Sequence, residues 1–215
     1  MENSKTNIDL NLKEIKPNNE SNKVFPIAIT ILSVAVVALL VYMFCENLSK
    51  NPTFRSDDGK VRITASKEWS KVKIENKSDS SSNSEIILAL LKQDNKLAPS
   101  MIFVSRIINL EDSNIDEIYT RWKKLYEKNA FILTGIETIN DKIPDVAEKV
   151  RVSKYDARQV CFSQTNVLAI KNARFYTIVE TNNAKYLISG TTVINNKSSF
   201  QEEYKNILDS IKDKK

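Results

Sequence analysis

The sequence predicts an α+β fold, one antiparallel sheet covered by two amphipathic helices (an α/β/α sandwich), preceded by one transmembrane helix. Three observations predict it. Short apolar runs separated by turn residues recur along the chain, as in an antiparallel meander. Two segments repeat apolar residues at the three-and-four spacing of a helix face. Residues 25–45, FPIAITILSVAVVALLVYMFC, carry no charge at all.

The uncharged stretch comes early. As a helix it covers about 30 Å, the thickness of a bilayer core. Phe25 and Pro26 open it, and a proline in the first turn forfeits no hydrogen bond. Leu39 and Leu40 belong to its lipid-facing body, while Tyr42 and Phe44 stand near its far end, where aromatic rings favour the headgroup zone. The run is too long for a cleaved signal peptide, and no small-x-small cleavage pattern follows it. Met43 and Phe44 replace the small residues of a lipid-modification site before Cys45, which is read as an unmodified thiol. Residues 1–24 balance four lysines (5, 13, 16 and 23) against Glu2, Asp9, Glu14 and Glu20, and read as a disordered tail. Basic residues near the span tie in number on its two sides. Lys23 before it and Glu46 after it tip the balance toward the tail inside and the domain outside the cytoplasm.

Residues 46–53 form a linker, and residues 54–215 are long enough for one domain that needs no disulfide or metal to fold. Asp57-Asp58-Gly59 is a turn signal before a first strand, Lys60 to Ala65, in which Val61 and Ile63 alternate with Arg62 and Thr64. Lys77 to Ser84 is a polar surface loop. Ile86 to Leu91 reads as a central strand and Met101 to Ile108 as another. Ile115, Ile118, Tyr119, Trp122, Leu125 and Tyr126 mark the first helix, with Ser113 as N-cap and Asp116 at the capping-box position. Strands are then expected at Ala130 to Thr138, Val146 to Ser153, Arg158 to Ser163 and, bent, Val167 to Glu180. Their turns fall at Asn140-Asp141, Tyr155-Asp156 and Thr165-Asn166. Asn182-Asn183 leads into Tyr186 to Val193, which closes the sheet. The last helix starts at Ser199, with Glu202 completing a capping box and Phe200, Tyr204, Ile207, Leu208 and Ile211 on its apolar face.

Composition removes whole classes of chemistry. The chain has 215 residues, a net charge of +5 and no histidine. That excludes Ser-His and Cys-His nucleophile pairs and the commonest zinc ligand. Two cysteines, Cys45 and Cys161, make neither a thiolate zinc site nor a disulfide framework. Glycines at 59, 135 and 190 cannot build a phosphate-cradling loop. No cofactor or metal is expected. The acids Asp57, Asp58, Glu111, Asp112, Asp116 and Glu117 read as turn and capping groups, because no Asp-x-Asp-x-Asp-Gly calcium loop occurs. Cys161 reads as an inert thiol and Trp122 as core. Trp69 is the one aromatic that could instead stack on a ligand or partner. The positive charge is spread, densest at Lys71 with Lys73 and at Lys123 with Lys124. It suits weak attraction to anionic lipid or polymer rather than nucleic acid.

Phe54, Asp58-Gly59-Lys60, Ile63 and Trp69, followed at the other end by Tyr186-Leu187-Ile188-Ser189-Gly190 and the helix Phe200 to Ile211 with Ser210, resemble the Mog/PsbP-like superfamily over residues 54–212. Lys67-Glu68 stands where those domains commonly have a proline. The resemblance implies the sandwich described above and a bacterial membrane-anchored PsbP-related protein, and it carries over no binding or catalytic residue. The expected function is a single-pass, non-catalytic binding or accessory module on the outer face of a cell membrane, its partner another envelope protein or an anionic polymer. A cytoplasm-facing adaptor and a histidine-free hydrolase or transferase using carboxylates are the alternatives.

Overall fold

A computed structural model describes residues 36–37, 50–74, 84–110, 112–132, 138–166 and 168–213. Contacts divide the chain into residues 1–50 and residues 51–215. In the first unit Val36 and Val37 are helical. The rest of the expected membrane segment, with Phe25, Pro26, Leu39, Leu40, Tyr42 and Phe44, lies outside the described residues, as do the tail and all of the serine loop but Ser84. Among the described residues no helix is long and apolar enough to cross a membrane.

The second unit is α+β. Its strands are β1 (Thr53–Arg55), β2 (Val61–Thr64), β3 (Trp69–Val72), β4 (Ser84–Lys92), β5 (Ser100–Ile107), β6 (Thr138–Ile139), β7 (Glu148–Val152), β8 (Tyr155–Thr165), β9 (Lys171–Glu180), β10 (Lys185–Val193) and β11 (Lys212–Asp213). The long helix, Ile115–Ile132, falls between β5 and β6, and the C-terminal helix, Lys197–Asp209, between β10 and β11. The main sheet runs β3-β4-β5-β10-β9-β8-β6, with β7 also paired to β8, and a small sheet runs β1-β2-β11. All pairings are antiparallel.

Alternation along the strands loads both faces of the main sheet, and each helix covers one. On β9, Ala173, Phe175 and Val179 join a core with Phe200, Tyr204, Ile207 and Leu208 of the C-terminal helix. Ile178 and Tyr176 point the other way, into a core with Ile115, Ile118 and Tyr119 of the long helix. Toward the other edge of the sheet, Val72 and Ile86 are 40% and 39% exposed.

Several expectations shift. The first strand is not in the main sheet: among the described residues β2 pairs with β1 and β11. Rather than lying at a margin, β10 sits between β5 and β9, joining the two halves of the sheet. Of the strand expected at Ala130 to Thr138, the first residues continue the helix through Ile132, since alanine favours its continuation, and Thr138 opens a short strand, Thr138–Ile139, while residues 133–137 lie outside the described residues. The long helix is capped by Asn114, whose Oδ1 accepts from the amides of Asp116 (3.0 Å) and Glu117 (2.9 Å), and not by Ser113. Ser199 lies inside the C-terminal helix, which grows directly out of the 3-10 turn Ile194–Asn196. The turn expected at Tyr155-Asp156 falls at Ser153-Lys154, with Ser153 at φ 56°, because the Tyr155 ring is drawn into the core opposite Val152. The break expected within Val167 to Glu180 is a turn before Lys171, held by Asn166 Oδ1 accepting from the amides of Leu168 and Ile170, both at 3.0 Å.

Candidate functional site

A cleft of about 570 Å³ opens where β5, β10 and the Thr181–Ala184 turn meet the small sheet. Its lining includes Lys60, Arg106, Asn182, Lys185, Tyr186 and Asp213. The turn at Ser56–Gly59 sets one wall. Gly59 takes the left-handed conformation, φ 71°, its amide donates to Ser56 O at 2.9 Å, and Asp58 Oδ1 accepts from the Lys60 amide at 3.1 Å. That turn delivers Asp58 to Arg106, whose guanidinium donates to its carboxylate. Burial pushes the Asp58 carboxyl up, but the Ser56 hydroxyl, the Lys60 amide and Arg106 outweigh it and hold the group below its usual value.

Register places Tyr186 beside Arg106 on neighbouring strands. Arg106 and Asp213 lie close enough to the Tyr186 hydroxyl for their charges to act on it. Burial, and then the Asp213 charge, push it up to about 12 against the opposing pull of Arg106, so it stays protonated at neutral pH. The single proton of the Thr181 hydroxyl is shared between Asp213 Oδ2, 2.5 Å away, and Ala184 O, 2.7 Å away in its own turn. Lys185 pairs with Glu180 at 3.2 Å. The cleft thus gathers Arg106, Tyr186 and Asp213, with Arg106 held from behind by Asp58, Asp213 Oδ2 facing Thr181, and Asp213 Oδ1 buried without a hydrogen-bond partner among the described residues. It can orient a polar ligand.

The residues singled out from sequence lie elsewhere. Trp69 is 3% exposed, tilted against Phe200 with centroids 6.2 Å apart, and its Nε1 donates to Glu203 Oε1 at 2.8 Å. It packs as a core residue against the C-terminal helix. Glu203 also accepts from Ser66 Oγ at 2.7 Å and Lys92 Nζ at 2.9 Å, so it clamps the C-terminal helix to β3 and β4. Trp122 packs among Tyr119, Tyr126 and Tyr176. Cys161 is half-buried, and burial pushes its thiol up more than nearby Lys197 lowers it. Asp57 pairs with Lys71 at 2.7 Å, and Asp116 takes Arg158 through both oxygens at 2.5 and 2.8 Å. Glu111 lies outside the described residues. Among those described, no group of three or more Cys, Asp or Glu could hold a metal ion.

The landmarks of the resemblance are structural. Ser210 Oγ accepts from the Thr64 amide at 2.7 Å, fixing the end of the C-terminal helix to β2. Gly190 gives that helix room to approach β10.

No protein-family model and no curated protein matches the chain in sequence. Solved structures do match it. Cyanobacterial PsbP from Synechocystis has a TM-score of 0.54 at 9% identity, over 77% of this chain and 94% of its own. A protein from Bacteroides thetaiotaomicron has a TM-score of 0.49 at 12% identity, over 77% of this chain and 49% of its own length. LpqN of Mycobacterium tuberculosis, a protein involved in cell envelope biogenesis, has a TM-score of 0.45 at 8% identity, over 75% of this chain and 89% of its own. At these identities the likeness concerns architecture: residues 51–213 have the fold of cyanobacterial PsbP.

Proposed function

We propose that the protein is a single-pass, membrane-anchored binding or accessory module, non-catalytic, with its folded domain on the outer face of a cell membrane. The observation that carries the binding reading is the cleft, where Arg106, Lys185, Tyr186 and Asp213 gather polar and charged groups that can recognise a ligand, with Arg106 held by Asp58 and Lys185 by Glu180. The uncharged stretch 25–45 supports the anchor. A linker over residues 46–53 reaches at most about 28 Å when extended, so the domain works close to the bilayer. Its partner is another envelope protein or an anionic polymer.

A photo-crosslinking residue placed at Asn183, on the cleft turn, tests this in intact membranes. The expected result is a discrete adduct that is lost when the same probe is moved to Leu168. Equal adducts from both positions, or none, would remove the cleft as the binding site. Protease added to intact cells should cut the domain. A domain left whole until lysis would place it inside and leave the cytoplasm-facing adaptor.

A further inference from the structure

The small sheet carries a row of like charges. Arg55 of β1 lies directly opposite Arg62 of β2, and Lys212 of β11 lies opposite Arg62 on its other side. Directly opposed residues of an antiparallel pair project to the same face, so three cations stand side by side across three strands, where like charges repel. Val61 and Ile63 alternate with them and are buried, which fixes the cationic face outward. Thr53 and Thr64 lie on the same face, their hydroxyls 3.3 Å apart.

Among the described residues no carboxylate answers this row. Asp57 is held by Lys71 at 2.7 Å and Asp58 by Arg106. Asp213 lies opposite buried Val61, on the sheet's inner face, and accepts from Thr181. The Arg62 Nε is buried and has no hydrogen-bond partner. Arg55 and Lys212 are exposed. A fold that only needed a stable edge sheet would alternate signs here. Two guanidinium forks and an ammonium with adjacent hydroxyls suit phosphate oxygens.

We infer that the Arg55–Arg62–Lys212 face docks on anionic phospholipid headgroups of the membrane that anchors the chain. The inference rests on the membrane reading of residues 25–45. Connectivity selects lipid over other polyanions: Arg55 is only ten residues past Cys45, so the face belongs to the first folded segment after the span. The contact fixes how the domain lies on the bilayer and leaves the cleft to a separate ligand. Each cation near an anionic surface contributes roughly fivefold to its affinity.

The test uses the full chain reconstituted into vesicles of phosphatidylcholine alone or mixed with phosphatidylglycerol. Labelling of Lys212 by a water-soluble amine reagent is read by mass spectrometry, with Lys128 on the long helix as internal control. The expected result is at least about fivefold slower labelling of Lys212 in the anionic vesicles, reversed by high salt, with Lys128 unchanged. The double variant Arg55→Ser, Arg62→Ser should restore most of the labelling rate. Equal labelling in both vesicles, while the chain floats with both, overturns the docking face and leaves the anchor standing. Failure to float with either overturns the membrane reading and this inference with it. Protection of Lys212 by soluble polyphosphate but not by anionic vesicles reassigns the face to a soluble polyanion.

Discussion

A methyl group on Gly190 would meet the Tyr204 ring at 2.9 Å and the Phe200 ring at 3.0 Å. Both rings are buried in the core that the C-terminal helix shares with the sheet, so neither can swing away. Gly190→Ala is therefore expected to destabilise the domain by about 1–3 kcal/mol through overpacking, read as a lower urea midpoint with an unchanged slope. Glu203 is a second residue with an outsized part. Burial pushes its carboxyl up, but hydrogen bonds from Ser66, Lys92 and Trp69 hold it below the usual value. A carboxyl lowered in the folded state adds stability that is present above its unfolded value of about 4.3 and is lost as pH falls through the folded one. Wild-type stability should thus fall below about pH 4.3, and Glu203→Ala should flatten that dependence. The same variant should lose about 2–3 kcal/mol at neutral pH, having left Trp69 and Ser66 without their acceptor and Lys92 with Glu68 as its remaining partner. Chemical denaturation across pH checks both. The sequence singled out Trp69 but not its partner, because Glu203 lies 134 residues away and reads alone as a solvated helix acid.

At the level of elements, periodicity was a reliable guide and boundaries were not. Both helices lie where their apolar spacing puts them, and β4, β5 and β10 follow their apolar runs closely. The N-cap of the long helix slipped by one residue because Ser113 and Asn114 are both good caps by type, and only the path of the chain decides which oxygen reaches the first turn. Asn114→Ala should cost about 1 kcal/mol and Ser113→Ala close to nothing, a contrast that thermal unfolding of the two variants would reveal. The Ser153-Lys154 turn slipped for a different reason. Burial of the Tyr155 ring outweighs the turn preference of Asp156, and a serine accepts the left-handed conformation in its place. The strand expected from Ala130 competed with a helix already formed, and continuing a helix is easier than nucleating a strand.

The whole molecule holds what short-range patterns could not contain. Two helices on the two faces of an antiparallel sheet followed from composition and period, but the place of β10 between β5 and β9 depends on pairings across some 80 residues. The cleft was invisible for the same reason: Lys60, Arg106, Tyr186 and Asp213 come from four separated segments, and none looks unusual where it stands. The two attachments to a bilayer argued above differ in physics, and that difference can be measured. Insertion of an uncharged helix into hydrocarbon does not depend on ionic strength, whereas attraction between a cationic face and headgroups is screened within about 8–10 Å in physiological salt. Full-length protein should stay with membranes through both a high-salt and an alkaline carbonate wash. Residues 51–215, which hold both cores found among the described residues, should be recovered in the soluble fraction and unfold in one cooperative transition. Their residual binding to phosphatidylglycerol vesicles should vanish in high salt. Release of the full chain by salt alone would mean that surface charge holds it and that residues 25–45 do not span. A truncated domain without a cooperative transition would mean that residues 1–50 are part of its fold.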